Sequence, residues 1–359
     1  MSEHASGVWW NQIAGPASVV NEVVDSLSAH QCVLLALPDH MPWPDPMRYA
    51  IMEKLQGRGL LIEDLTDEPG QPYEILLRRF AQGTVQTGYR PSSGRPQDYI
   101  AKHAVLNGKL LWLRQLHEER MNAWLDFVRS YRKCGVENGL ILMEISESKL
   151  PQQVPSHIKV VRYSMCVNDF DLLLFCSHIT SETDLSAGWK NYLAMLAAHL
   201  CAPDANLAEA YLKTNPRDHK QESPEEAFLE LHKAQYGDSI PRPQVSALTG
   251  KVWQAQIKAL FPLIEDERQH FIRRYFSLIK MAMEAANATG PSGELIRDPL
   301  DAEWGLLFHL SHTRNDTGYY YLYIPDESEY NWVGFMRECR NKLAHGDVLS
   351  MGEVARIFK

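Results

Sequence analysis

The sequence predicts an α/β domain followed by an all-α domain, and three observations carry that prediction. Between residues 8 and 200, short continuous apolar runs alternate with segments of helical periodicity. That is the pattern of a mostly parallel sheet with helices on both faces. After residue 246 the periodicity is helical, apart from one tyrosine-rich break. Between them, residues 213–245 are polar and acidic and are punctuated by Pro216, Pro224, Pro241 and Pro243, which reads as a connector. The predicted division is 1–212, 213–245 and 246–359, and 359 residues are enough for two cores.

Trp10, Asn11, Gln12, Ile13, Ala14, Gly15 and Pro16 precede a helix that leads into the first strand, residues 31–38, whose apolar run reads as fully buried. A helix over 48–55 ends at Gly57 and Gly59. Residues 60–65 form a weaker strand, 73–81 a helix, and 109–113 a third strand. Residues 121–131 are amphipathic, with Trp124 and Phe127 at helical spacing. The runs 140–145, 158–163 and 172–176 read as further strands, and the Ala/Leu-rich residues 185–212 as helical. The connector holds one short helix, 226–234. Residues 252–285 give one long or broken helix, with Pro262 starting a new helix or kinking the first. A helix over 298–309, the break at Tyr319, Tyr320, Tyr321 and Tyr323, and a last long helix over 332–344 follow, with Gly346 as a natural C′ residue.

Composition narrows the functional classes. Apolar content of 45% and charged content of 23% are ordinary for a globular protein. No apolar run approaches the ~18–20 residues that cross a bilayer, and the N-terminal Met1, Ser2, Glu3 and His4 lack the basic and apolar regions of a signal peptide. The expected setting is cytoplasmic, without membrane contact. The six cysteines (Cys32, Cys134, Cys166, Cys176, Cys201, Cys339) form no CxxC pair and read as reduced, buried thiols, so neither zinc nor another cofactor is expected. His309, His312 and Arg314 lack a third convergent ligand and read as surface groups or partners of the last helix. Glu265, Asp266, Glu267 and Arg268 read most simply as a solvated helix start, with a charged pocket linking Glu265 or Arg268 to His345 as the alternative. A net charge of −9 argues against non-specific nucleic-acid binding, which needs a strongly basic surface, and leaves room for a local basic patch.

The chemistry concentrates near the C-terminus, in Arg340, Asn341, Lys342, Leu343, Ala344 and His345, followed at once by Gly346. Arg holds phosphate and His moves a proton near neutral pH, which together suffice to cut RNA without a metal. Five positions on a helix correspond to about 140° around its axis, so Arg340 and His345 do not share a face, whereas Asn341 and His345 do. A site using both Arg340 and His345 needs the end of the helix, the length of Arg, or a second copy. The negative end of the helix dipole favours the imidazolium at His345, which suits a general acid.

This motif resembles the HEPN superfamily, compact helical bundles whose last or penultimate helix carries Arg-x4-6-His, often with Asn directly after the Arg. The resemblance covers roughly the last 110 residues. It includes a long first helix with Glu265 and Arg268, a short helix with Glu303, Trp304 and Gly305, and the closing motif helix. It implies metal-independent endoribonuclease activity by a homodimer, in which the 2′-hydroxyl attacks its own phosphodiester and leaves a cyclic phosphate. By the same resemblance, Arg340 would hold and polarise the phosphate, His345 would transfer protons, and Asn341 would orient one of them.

The N-terminal half is similar to the ASCE type of P-loop NTPase, the class that includes AAA and STAND ATPases. Its first loop should then read GxxxxGK[ST]. It reads Pro38, Asp39, His40, Met41, Pro42, Trp43, Pro44, Asp45, Pro46, Met47, Arg48. It has no Gly to open a nest of amides, no Lys, and no hydroxyl for a metal, and four prolines remove donors. Glu144 holds a Walker B-like place, but without a phosphate loop it reads as an ordinary strand-end carboxylate. Asp39, His40 and Trp43 would line the C-terminal edge of the sheet, the usual ligand side.

The expectation is thus a degenerate, non-hydrolysing NTPase-like sensor or docking domain joined to a HEPN-like endoribonuclease. The resemblance places it in a prokaryotic defence or toxin-type system and implies gating by a protein partner or by assembly. The alternative is an inactive assembly module that binds a protein partner, and a weaker third reading is an ATPase with an unusual loop.

Overall fold

Cys32–Leu37 is apolar at every position, so both faces of this strand must be covered, and all six residues are buried or nearly so. The computed structural model describes residues 2–66, 68–114, 116, 118–135, 139–214, 223–237, 240–290 and 292–358. Within the expected connector, Asn215, Pro216, Arg217, Asp218 and Glu222 lie outside the described residues. The chain divides into two units, Met1–Phe175 with Pro203–Asn206, and Cys176–Ala202 with Leu207–Lys359.

The first unit opens with α1 (Ser2–Asn11) and α2 (Ala14–Ser28), followed by β1 (Cys32–Leu37) and α3 (Pro44–Leu55). Next come β2 (Leu61–Thr66), α4 (Pro72–Phe80), α5 (Gly83–Gly88), α6 (Pro96–Lys102), β3 (Lys109–Arg114) and α7 (Glu118–Arg132). β4 (Leu140–Ser146), β5 (Ile158–Arg162), α8 (Tyr163–Cys166) and the start of α9 (Asp169–Ser181) complete it. The strands make one parallel five-stranded sheet in the order β2-β3-β4-β1-β5. In this register Leu35 lies opposite Glu144 on one side and Val161 on the other.

One expected strand is a helix. Residues 172–176 lie inside α9. Five apolar residues fit either structure, and the decision is made just upstream. The Asn168 side chain accepts from the Phe170 amide at 2.8 Å, and the Asp171 carboxylate accepts from the Asn168 amide at 2.9 Å. These contacts satisfy first-turn donors, and Asp169 and Asp171 complement the helix dipole. Asp171 also accepts from the Gly15 amide at 2.9 Å, where a Cβ would meet the carboxylate.

The second unit is helical. Its helices are α10 (Ala187–Cys201), α11 (Ala205–Lys213, which begins within Pro203–Asn206 of the first unit), α12 (Pro224–Tyr236), α13 (Val245–Arg274), α14 (Phe276–Ala286), α15 (Trp304–His312), α16 (Glu327–Ala344) and α17 (Met351–Ile357). α10 packs along α13, so its apolar residues belong to this unit, whereas the sequence places residues up to 212 with the sheet. α13 runs on through Pro262, and the break falls at Tyr275. Pro262 removes one helix hydrogen bond, but Leu260 and Ile264 on either side are buried, and their packing carries the helix across the gap. The helix expected over 298–309 is a 3-10 turn, Pro299–Asp301, followed by α15. α17, not anticipated from sequence, starts with a capping box between Ser350 and Glu353. Among the described residues no helix is long and apolar enough to cross a membrane.

The loop after β1 is folded inward. Trp43 adopts φ 45°, ψ 67°, a left-handed conformation that is uncommon for a bulky residue. Its carbonyl accepts from the Trp10 indole at 3.1 Å, and its ring packs 5.7 Å from Phe175. Trp43 is therefore part of the core and does not line an open edge. Asp39 accepts from the Ser146 hydroxyl, and His40 remains exposed.

Glu144, expected to be an ordinary strand-end carboxylate, is instead a buried ion-pair partner. It is buried, and it accepts from the Trp112 indole at 2.8 Å, Arg48 Nε at 3.0 Å and Arg48 Nη2 at 2.6 Å. A fork-to-fork pair of this kind loses more when one partner is removed than when both are. Glu144→Leu should lower stability by about 3 kcal/mol, and Arg48→Met/Glu144→Leu should recover part of that loss. Urea unfolding followed by tryptophan fluorescence measures both.

Candidate functional site

α16 places the motif. Asp326 caps its start, accepting from the Ser328 amide at 2.8 Å. Val333, Met336, Cys339 and Leu343 form its buried stripe. Burial pushes the Cys339 thiol up to about 12, which leaves it unreactive. Gly346 ends the helix with φ +88°, as its sequence position predicts. The Asp347 amide returns to the Lys342 carbonyl at 2.9 Å and the Gly346 amide to the Leu343 carbonyl at 3.3 Å, a Schellman closure.

Tethers from α13 and α17 fix this helix end. The Trp253 indole donates to the Leu343 carbonyl at 2.8 Å. Gln256, fully buried, accepts from the Leu349 amide at 2.7 Å and donates to the Leu349 carbonyl at 2.8 Å and the Tyr192 hydroxyl at 3.2 Å. Lys342 pairs with Glu353 at 2.6 Å. A polar residue inside an apolar helical stripe was the available sequence signal for Gln256.

Arg340 borders the buried stripe and opens into a cleft of about 380 Å³ lined by Phe261, Ile264, Glu265, Arg268, Leu300, Asp301, Glu303 and Trp304. Its guanidinium pairs with Glu303 at 3.0 Å and donates to the Asn341 side-chain oxygen at 3.4 Å. Arg268 forms the floor. It donates to the Leu300 and Ala302 carbonyls at 2.9 and 2.7 Å and to Glu265. The Arg268 hydrogen bond, with smaller help from Gln269 and the Arg340 charge, holds the Glu265 carboxyl below its ordinary range. Glu265 and Arg268 therefore face Arg340, and the pocket considered between them and His345 is not formed.

His345 is the C-cap of α16 and is exposed. It is absent from the Arg340 cleft, and its ring makes no hydrogen bond or ion pair with another described residue. The structure thus brings Arg340 and Asn341 into contact, and His345 does not line the Arg340 cleft.

An aromatic column that the sequence reading missed lies beside this helix. His312 stacks between Phe308 and Tyr330, with ring centroids at 3.9 and 4.1 Å. Arg337 covers Phe308 at 4.5 Å, and Tyr320 meets Tyr330 at 6.3 Å and carries Arg314 at 5.1 Å. Phe308 and His312, four apart on α15, were the available signal. His312 is therefore a partner of the motif helix. Compared with known proteins, the chain matches no family model and no curated protein.

Desolvation, aided by the Arg337 charge, lowers the His312 pKa, and a hydrogen bond to the Phe308 carbonyl opposes the shift. The folded protein binds this proton less readily than the unfolded chain. The stabilisation is therefore complete above the unfolded value of 6.5 and declines as pH falls below it. His312→Phe should melt with a smaller drop between pH 7.5 and 5.5 than wild type, as read by thermal unfolding across that range. Gln256→Leu leaves both backbone groups of Leu349 unpaired and should cost about 3 kcal/mol, whereas His345→Ala should change stability by less than about 0.5 kcal/mol. Denaturant unfolding of the two variants measures the contrast.

Proposed function

We propose that this protein is a metal-independent endoribonuclease of HEPN type, active as a homodimer, whose sheet domain is a P-loop NTPase-like docking or sensor domain that does not hydrolyse nucleotide. The observation that carries this reading is the disposition of Arg340 and His345. Arg340 is half-buried at its cleft and His345 is exposed outside that cleft, on a helix end held by Trp253, Gln256 and Lys342. A two-fold dimer is the simplest way for such a pair to meet, with Arg340 of one copy opposite His345 of the other.

The chemistry follows from the groups. Arg340 binds the non-bridging oxygens of a phosphodiester and stabilises the charge that grows there. The ribose 2′-hydroxyl passes its proton to solvent water as it attacks the adjacent phosphorus, and the bond to the 5′-oxygen breaks. The products are a 2′,3′-cyclic phosphate and a free 5′-hydroxyl. His345 delivers the proton to the leaving oxygen, and Asn341, one turn before it, orients the transfer. Glu303 must release Arg340 first. That pair is exposed on the carboxylate side, 70%, and a pair of this kind contributes about 0–1 kcal/mol, so a phosphate displaces it readily.

Two observations support the reading of the sheet domain. The order β2-β3-β4-β1-β5 inserts the first strand between the fourth and fifth, as in ASCE-type sheets. Where such a sheet would expose a phosphate loop, this chain has an inward-turned Trp43 and an Arg48–Glu144 pair. A prokaryotic defence or toxin-type setting, with activity gated by a protein partner, fits a cutting unit joined to a docking unit.

A second reading, an inactive assembly module that binds a protein partner, is favoured by one feature. Three carboxylates, Glu265, Asp301 and Glu303, share the cleft with two guanidiniums, and that balance opposes an anion. Cleavage of total RNA in excess EDTA separates the two. Wild type should cut, and Arg340→Ala and His345→Ala should each lose activity by at least about 100-fold. Mixing the two inactive variants should restore about one quarter of wild-type activity, because half of the randomly exchanged dimers carry one intact shared site. Equal cutting by all three proteins, or no cutting by any under conditions where they dimerise, rejects the nuclease and leaves the assembly module.

A further inference from the structure

Open α/β sheets hold ligands at the carboxyl ends of their strands, and the first unit has a cavity of about 660 Å³ at Arg114, the last residue of β3. Glu3, Gly7 and Trp10 of α1 and Tyr49 and Glu53 of α3 line it as well. The α1 residues are four and three positions apart and so share one helix face. All of these groups belong to Met1–Phe175, so the site does not depend on what the helical unit cuts. Its guanidiniums are already engaged. Arg48, also in the lining, pairs with Glu144 and Asp45, and Arg114 pairs with Asp64. The Glu3 and Glu53 carboxylates make no hydrogen bond or ion pair with another described residue. Five carboxylates, Glu3, Asp45, Glu53, Asp64 and Glu144, therefore stand against Arg48 and Arg114. That balance attracts a cation and repels a phosphate.

Three further features shape the occupant. The Trp10 indole N–H is taken by the Trp43 carbonyl, so Trp10 offers the cavity apolar surface, and Tyr49 is 62% exposed. Aromatic surface beside carboxylates suits an organic cation. Arg114 Nε is buried and has no acceptor among the described residues, and an unpaired buried donor is costly. Asp64 already holds Nη2 of the same guanidinium, so a second carboxylate is repelled there and a neutral carbonyl oxygen fits. Gly7 lies inside α1, which weakens the helix, yet a Cβ there would meet nothing within 4 Å. No neighbour demands this glycine, and the space beside it stays open. We propose that the cavity binds a small organic cation, an aromatic body that carries a protonated amine and a neutral carbonyl. The amine lies toward Glu3 and Glu53, the aromatic body against Trp10 and Tyr49, and the carbonyl oxygen accepts from Arg114 Nε. The volume is ordinary for a small-molecule site.

Isothermal titration calorimetry on the full chain tests the site with N-(2-aminoethyl)benzamide, which has all three groups. It should bind with a Kd of about 1 mM or tighter. N-propylbenzamide keeps the size and loses the charge, and 4-phenylbutylamine keeps the charge and loses the carbonyl. Each should bind at least about 5-fold more weakly. N-benzoyl-β-alanine, with a carboxylate in place of the amine, should bind least. Glu3→Gln/Glu53→Gln should reduce N-(2-aminoethyl)benzamide to the level of N-propylbenzamide. Arg114→Lys keeps a charge for Asp64 without the Nε–H, and should erase the preference over 4-phenylbutylamine. Gly7→Leu fills the cavity from α1 and should abolish binding, with a melting temperature equal to or above that of wild type. No binding of any of the four compounds at about 10 mM overturns the site. So does binding of any other compound as tight as that of N-(2-aminoethyl)benzamide, or binding that survives Gly7→Leu in a protein that melts like wild type.

Discussion

The arrangement of the motif depends on one buried amide. Gln256 lies in the apolar stripe of α13, and its side chain meets both backbone groups of Leu349 and the Tyr192 hydroxyl. An unpaired amide in that place would cost more than the hydrogen bonds contribute, so the segment after α16 has one low-energy path. Trp253, one turn earlier on α13, holds the Leu343 carbonyl in the same way. Between these two fixed points the chain must turn through Gly346, whose positive φ admits the Schellman closure. His345 is exposed, while its backbone amide is held by the Asn341 and Lys342 carbonyls. In the proposed nuclease, an exposed ring on a fixed main chain would suit proton transfer across the dimer interface.

The aromatic column serves the same end from the other side. Phe308 and His312 on α15 meet Tyr330 and Arg337 on α16 face to face, so the two helices that carry Glu303 and Arg340 are coupled by stacking as well as by their ion pair. Gly334 belongs to this contact, since a Cβ there would meet the Phe308 ring at 3.5 Å.

Much of the fold was legible because its signals are local. β1, β3 and β4 are built on continuous apolar runs, β2 and β5 carry charged residues and are the weaker signals, and Gly346 marks the end of α16 by chirality alone. The misread run, 172–176, is apolar at every position, so period gave no answer, and the deciding contacts involve Asn168 and Asp171 just before it. Pro262 misled for a similar reason, since the cost of a helix proline is local while the burial of Leu260 and Ile264 that outweighs it is not. At the site, helix geometry alone placed Arg340 and His345 on different faces. It could not place Glu265 and Arg268 opposite Arg340, because they approach from another helix. Nor could it show Trp43 turned into the core, where a left-handed backbone and the Trp10 indole fix it.

Arg48 and Arg340 both meet carboxylates, and their surroundings give them opposite capacities. Arg48 and Glu144 have side chains only 13% and 5% exposed, and the carboxylate is satisfied further by Trp112. Separating them strands a charge away from water, a penalty of several kcal/mol that an arriving phosphate does not offset until the whole loop opens. Arg340 and Glu303 are 34% and 70% exposed, and water compensates either partner on release. The same pairing is therefore a lock in the sheet domain and an exchangeable contact in the helical one. Of these two guanidiniums, Arg340 is the one an anion can reach at the lower desolvation cost.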